Sequence, residues 1–330
     1  MGNALTSRAD AAVDTAAPPL PNFVAGSSPI VQAAIEEMKS SVGKTNYQQL
    51  PQPVRYEEMQ REINFALRPD LFEGMRFEIT RPLNQNFFLT HSLFMGNAET
   101  PHHDPRGLPL KASVGVYEFG ANVIQDRWFA LGRLSSDGRM SGRFRREFSE
   151  WLVGKIQIST QQGQAQVMAD LGIKGTDWNA EVKVGNPGFY GMNYFQSITP
   201  NLSVGGELFY LTQQLKSGVG IAARHVGEKH IAVGQIANTG VVNLQYMHRV
   251  TERINMVSDL MWQLNSREAT AAIGYDCMLR QSRVQGRIDT NGIVSCFITE
   301  RFGPLNFLLS AELDHAAKNY KFGFGFTLGE

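Results

Sequence analysis

The stretch Lys318 to Leu328 reads KNYKFGFGFTL, and its pattern decides the fold. Apolar residues hold every second place: Tyr320, Phe322, Phe324, Phe326 and Leu328. Lys321, Gly323, Gly325 and Thr327 alternate with them. A period of two puts the aromatics on one face of a strand and the small or polar residues on the other. A soluble protein could not leave such an aromatic strand exposed without inviting aggregation. A strand that faces lipid, with both edges paired, fits the pattern.

Working back from this strand, the same texture runs to Leu71. Short alternating segments of about ten residues are separated by turn residues, as in a membrane barrel. They number nineteen between residues 73 and 328. Turn chemistry marks the cuts at Ser136-Asp137-Gly138, Gln162-Gly163, Asn186-Pro187-Gly188, Lys216-Ser217-Gly218, Asn238-Thr239-Gly240 and Asn291-Gly292. The third and fourth segments are set at 110–119 and 122–133. One long interruption is expected from Asn97 to Pro109. It contains His102, His103 and Asp104, three potential ligands with no fourth at metal-site spacing, so it reads as a solvated loop.

The alternation has two consistent faces. Leu152, Ile156 and Ile158 oppose Lys155, Gln157 and Ser159. Ile254, Met256, Leu260 and Trp262 oppose Arg253, Asn255, Asp259 and Gln263. A soluble sandwich would bury the apolar face, whereas a membrane barrel turns it to lipid and wets the other. Nineteen hairpin-linked strands with almost no helix favour the barrel. The phase then turns Asp170, Asp177, Glu181, Glu207, Asp259, Asp289, Glu312 and Asp314 into the pore, with Arg143, Lys155, Lys174, Arg253, Arg283 and Arg287. Such a lumen carries separate acidic and basic patches. For any one carboxylate, hydration of the pore wall is the plainer role.

Composition sets limits. The 330 residues hold 31 Lys plus Arg and 31 Asp plus Glu, a net charge of zero that argues against a nucleic-acid partner. Cys277 and Cys296 are too few for a disulfide framework. No GxSxG, HExxH, P-loop or Rossmann glycine set occurs in context, so no enzyme and no cofactor or metal site is expected. No apolar run is long enough for a transmembrane helix, which leaves barrel strands open.

The N-terminal region has a different texture. Residues 1–27, rich in Ala, Pro, Asn and Ser, read as a disordered tail. Met1-Gly2 with Thr6 matches the short N-myristoylation pattern, for which chance is a fair rival. Residues 28–69 read as a helical extension. One helix spans 29–42, and a second, about 54–68, carries the apolar stripe Tyr56, Met59, Ile63 and Leu67 with Glu57, Glu58, Arg61 and Glu62 opposite. Residues 70–330 form the barrel.

Two resemblances sharpen this reading. Lys321, Gly323, Phe326 and Leu328 resemble the sorting signal at the end of mitochondrial outer-membrane barrel proteins. Leu71 to Phe77 with Pro82 to Asn86, Tyr117 to Asn122, Gly274 to Asp276 with Met278 to Gln281, and Leu305 to His315 with Tyr320 to Phe326 resemble a longer pattern. It is that of the channel-forming subunit of the mitochondrial outer-membrane protein translocase, the TOM complex, in its plant and green-algal form. Tyr117 to Asn122 resembles that family's turn between the third and fourth strands.

The resemblance implies an all-β membrane protein, a closed 19-stranded transmembrane barrel of the mitochondrial porin superfamily whose first and last strands pair in parallel. It places the helix at Tyr56 to Leu67 inside the pore. It implies a passive conduit for precursor proteins that binds presequences. Its implied partners are a receptor subunit, small single-span subunits, a second barrel as homodimer and the membrane lipids. The alternative is a metabolite porin of the same membrane.

Overall fold

The computed structural model describes residues 50–103, 109–161 and 164–329. They form one closed sheet of nineteen strands. The strands are β1 (Gly74–Asn84), β2 (Phe87–His103), β3 (Pro109–Ile124), β4 (Trp128–Ser135), β5 (Met140–Glu147), β6 (Leu152–Gln161) and β7 (Gln164–Lys174). There follow β8 (Trp178–Gly185), β9 (Phe189–Ser197), β10 (Leu202–Leu211), β11 (Lys216–Val226), β12 (His230–Ala237) and β13 (Val241–Thr251). The last six are β14 (Ile254–Gln263), β15 (Glu268–Met278), β16 (Ser282–Asp289), β17 (Ile293–Phe302), β18 (Leu305–Asp314) and β19 (Asn319–Leu328). Every strand pairs antiparallel with its sequence neighbours, and β1 closes the barrel by pairing parallel with β19, from Gly74↔Gly323 to Ile79↔Leu328. An odd strand number forces that parallel seam. Phe77 stacks on Phe326 across it, with ring centroids 5.4 Å apart.

The opening strand fixes the direction of the two faces. Phe322, 64% exposed, points outward with Tyr320 and Phe324, while Gly323 and Gly325 face the lumen. Ile221, Ile273 and Ile288 are similarly open on other strands. So broad an exposed apolar surface is stable only against lipid. Among the described residues no helix is long and apolar enough to cross a membrane; the strands do so.

Four local expectations need correction. Tyr117 to Asn122 is no turn: it lies within β3, and the chain reverses at 125–127. The outward alternation of Tyr117, Phe119, Ala121 and Val123 runs straight through Gly120. The interruption from Asn97 to Pro109 is mostly strand, because β2 and β3 stay in register to Glu99↔Lys111 and again at His103↔Pro109. Backbone pairing alone makes this ladder, without the apolar alternation that would announce it in the sequence. Lys216, Ser217 and Gly218 start β11, not a turn. Gly218 is required there because the Phe209 ring occupies the place of a Cβ. Finally, the helix over 54–68 is a 3-10 turn at Tyr56–Glu58 followed by α1 (Arg61–Leu67). Neither start carries a side-chain cap, and a tightened first turn is a common answer to missing cap bonds. The expected tail at 1–27 and helix at 29–42, with the Gly2 pattern, lie outside the described residues.

Candidate functional site

The site is the lumen and the chain segment that lines it. Residues 51–53 enter at the rim where β8 begins and β9 ends. Ser197 Oγ donates to the Pro51 carbonyl at 2.8 Å, and Gln52 Nε2 donates to Asn179 Oδ1 at 3.1 Å. The 3-10 turn then lies on β9 and β10, and α1 on β13 to β16. Phe72 N donates to Ser310 Oγ at 3.1 Å, after which the chain becomes β1. Gly323 allows this crossing, since a Cβ there would strike the Phe72 carbonyl.

An apolar seat holds the segment. Tyr56, Met59, Ile63, Ala66 and Leu67 bury against Phe195, Ala222, Ile231, Val233, Met247, Val257 and Ala272, all on lumen-facing positions. Ile63 and Leu67 are fully buried. Full burial of each side chain contributes on the order of 1.5–3 kcal/mol. Gly274 completes the seat: a Cβ there would come within 2.8 Å of Leu67 Cδ1. Tyr56 meets Phe195 edge-on at 6.1 Å. Burial pushes the Tyr56 phenol well above its ordinary pKa, and the charge of Glu207 adds to this. It stays protonated, and accepts a hydrogen bond from Gln235 Nε2 at 3.3 Å.

The polar edge of the segment is bound by charge. Glu57 pairs with Lys183 and, at 3.5 Å, with Lys155. Glu62 pairs with Arg224 at 3.0 Å and Arg249 at 3.3 Å. Gln60, Asn64 and the Phe65 carbonyl are hydrogen-bonded to Gln235, Gln245 and Gln285. Phe65 itself is exposed to the lumen, with the Arg283 guanidinium 4.2 Å from its ring centre.

The predicted pore residues fall into three groups. Asp170, Glu181, Lys155 and Lys174 come together beside the entry of the segment: Lys155 lies 3.0 Å from Glu181 and opposite Asp170, while Lys174 and Glu181 line a small cavity with Arg55. A second group stands separately on the lumen face. Glu207 accepts from Gln235 at 3.2 Å, Asp259 lies opposite Gln245, and Asp289 pairs with Arg287 at 3.1 Å. Glu312 pairs with Lys321 at 3.2 Å, and Arg143 lies opposite Gln157. Arg283 grips the buried Asp276 through two bonds, 2.8 and 2.9 Å long.

The third group lies at strand ends and in turns. Asp177 sits in the turn before β8 and is reached by Gln196 at 3.5 Å. Arg253 sits in the turn before β14. Asp314 ends β18 and accepts two turn N–H groups, from Ala316 and Ala317, at 2.9 Å. Alternation projected past a strand end loses its meaning where the backbone turns.

Sequence reasoning missed Lys183, Arg224, Arg249 and Asp276. Asp276 was in phase with Gly274 on its strand and could have been found. The three cations are on phase too, but nothing local shows that they answer Glu57 and Glu62 from more than a hundred residues away. Among the described residues one acidic group has the spacing to hold a cation: carboxylate oxygens of Glu57, Asp170 and Glu181 all lie within 4.8 Å of one another. Lys155 bridges Glu57 and Glu181 and Lys183 pairs with Glu57, so these carboxylates belong to an ion-pair network.

The sequence model of the Eukaryotic porin family matches residues 52–323. The chain belongs to that family. Among its relatives, this eukaryotic porin is 41% identical to the "Probable mitochondrial import receptor subunit TOM40-2" of Arabidopsis thaliana, over 91% of this chain and 98% of that protein. It is 24% identical to the "Mitochondrial import receptor subunit TOM40 homolog" of Xenopus laevis over the full length of both chains. The mouse protein of the same description is 25% identical, over 85% of this chain and 79% of its own. Among solved structures, a mutant porin of Rh. blastica aligns with a TM-score of 0.47 at 9% identity, over 72% of this chain and 96% of that one. That likeness is too remote to bear on the fold.

Proposed function

We propose that this eukaryotic porin is the protein-conducting channel of the mitochondrial outer membrane, an integral β-barrel within the TOM complex. The observation that carries the reading is the 41% identity to the Arabidopsis import subunit over 91% of this chain. The family alone leaves a metabolite porin equally open.

The chemistry of the lumen supports it. Presequences are basic amphipathic helices. Carboxylates in a low-dielectric wall attract them, and interspersed cations keep each contact weak enough to release. Asp259 and Glu207 offer such contacts, and Phe65 offers an apolar one. A passive conduit needs no catalytic residue and no cofactor. The complex supplies a receptor subunit, small single-span subunits and a second barrel, held in lipid. Lys321, Gly323, Phe326 and Leu328 act as the sorting signal during insertion. Residues 50–69 line the pore before the barrel begins at β1.

The test is single-channel recording of the purified chain in a planar bilayer, with and without a synthetic presequence peptide. The expected pore prefers cations and is blocked by the peptide in a voltage-dependent way. A pore indifferent to the peptide makes the protein a metabolite porin, and no conductance at all removes the membrane channel. Neutralising Asp259 and Asp289 together should weaken peptide block more at about 0.01 M than at about 1 M salt, where the Debye length falls from roughly 30 to 3 Å. An unchanged block at low salt would rule out these two carboxylates.

A further inference from the structure

We propose that His225, His230 and His248 form a site on the outer wall of the barrel for a borderline divalent transition-metal ion such as Zn²⁺. Three of the seven histidines of the chain gather here, at one end of three successive strands. His225 is the last residue but one of β11, His230 the first of β12, and His248 lies in β13. Register places His230 directly opposite His248. The neighbours Arg224, Ile231 and Met247 are buried on the lumen side, so alternation turns all three imidazoles outward.

The rings already form a row. His225 stacks on His230 with centroids 5.2 Å apart. His230 stacks on Tyr246 at 6.2 Å, and Tyr246 on His248 at 6.4 Å. Residues directly opposite on antiparallel strands hold their Cβ atoms about 4.5–5.5 Å apart. Zn–N bonds are about 2.0–2.1 Å long, so one ion can bridge two opposed imidazoles. In the stacked arrangement the ring nitrogens do not converge. The site therefore requires His230 and the exposed His248, directly opposed in register, to turn about χ1 and χ2 toward one ion, with His225 beside them. The remaining positions fall to water.

Lipid contact does not account for this cluster. Farther along the same strands the outward residues are Ile221, Ile236 and Leu244, as a hydrocarbon face requires. The imidazoles stand at the strand ends, where water and ions reach them. Imidazole nitrogen suits Zn, Cu and Ni rather than Ca or Mg. A bound ion would tie β11, β12 and β13 together on the outside, opposite Val233 and Met247, which seat the inner segment.

The test is a Zn²⁺ titration of the refolded full chain in detergent by calorimetry. Saturable binding at a single site is expected. His230→Ala and His248→Ala should each weaken it by at least about tenfold. A His102→Ala/His103→Ala variant should bind as the parent does. Each variant is checked for folding by its pore conductance. A second reading needs no variant: Zn²⁺ should slow diethylpyrocarbonate modification of His230 and His248, followed by mass spectrometry, and leave His315 unaffected. The proposal is overturned if the His230→Ala/His248→Ala double variant binds like the parent. It is overturned equally if the loss follows His102 and His103, or if no binding saturates below about 1 mM.

Discussion

The inner wall has a covered side and a bare side. Under the segment, lumen-facing positions of β11 to β15 include Ala222, Val233, Met247, Val257 and Ala272, all buried. Across the pore, β3 to β5 present Glu118, Arg133, Arg143, Arg145 and Glu147. Their pairs are solvated: Glu118 with Arg133 at 3.3 Å, Arg145 with Glu147 at 2.9 Å. Both sides obey the same period of two. The difference is what lies above them: apolar residues where a second layer of chain excludes water, charges where it does not. The pore wall is thus a packing surface on one side and an electrolyte-facing surface on the other.

This contrast can be broken from the covered side. Ile63→Asp places a carboxylate in the fully buried seat and should release the segment. Even Ile63→Ala should cost about 2–5 kcal/mol of its attachment. Limited proteolysis within residues 50–70 and a wider, noisier conductance would register the release; an unchanged pattern would mean that the seat does not hold the segment. Gly274→Val acts on the same contact from the wall. It drives a side chain against Leu67 and should cost about 1–3 kcal/mol by overpacking. Thermal unfolding of the barrel and the same proteolysis separate a global from a local loss.

Smaller effects sharpen the comparison. Glu62→Gln removes the negative charge shared by buried Arg224 and exposed Arg249 and leaves one acceptor oxygen for the two. Glu62 is half exposed, which limits the loss to about 1 kcal/mol. A double-mutant cycle with Arg224→Met should recover a coupling energy, whereas the cycle with Arg249→Met should give almost none. The smallest stability change is expected on the bare side. Arg143→Glu should leave unfolding within about 0.5 kcal/mol. It should nevertheless shift reversal potentials toward greater cation preference. A large stability loss there would show that the bare wall is packed after all.

Much of this was legible in the chain. Strand number, the outward aromatics of Tyr320 to Phe324 and the lumen phase of Asp170, Glu181 and Asp289 follow from alternation alone. The apolar stripe Tyr56, Met59, Ile63 and Leu67 showed that a face would be buried. It did not show what would bury it, because one inward Val or Ala in a polar phase reads as noise. The bed becomes visible only when Ala222, Val233, Met247 and Val257 are brought side by side by register. Asp177 and Arg253 fall in turns for the reverse reason: period two is a property of extended backbone, and it stops where the turn begins.

The sequence by itself determined that this chain is a closed sheet with one apolar and one polar face. That follows because a strand's side-chain period is local and lipid tolerates no unpaired edge. The tertiary structure decided the rest: which charges pair, where the inner segment lies, and why Gly323 and Gly274 must lack a side chain. Glu57 with Lys183, Glu62 with Arg224 and His230 with His248 are matters of register and closure. These join residues far apart in the chain, and no local pattern encodes them.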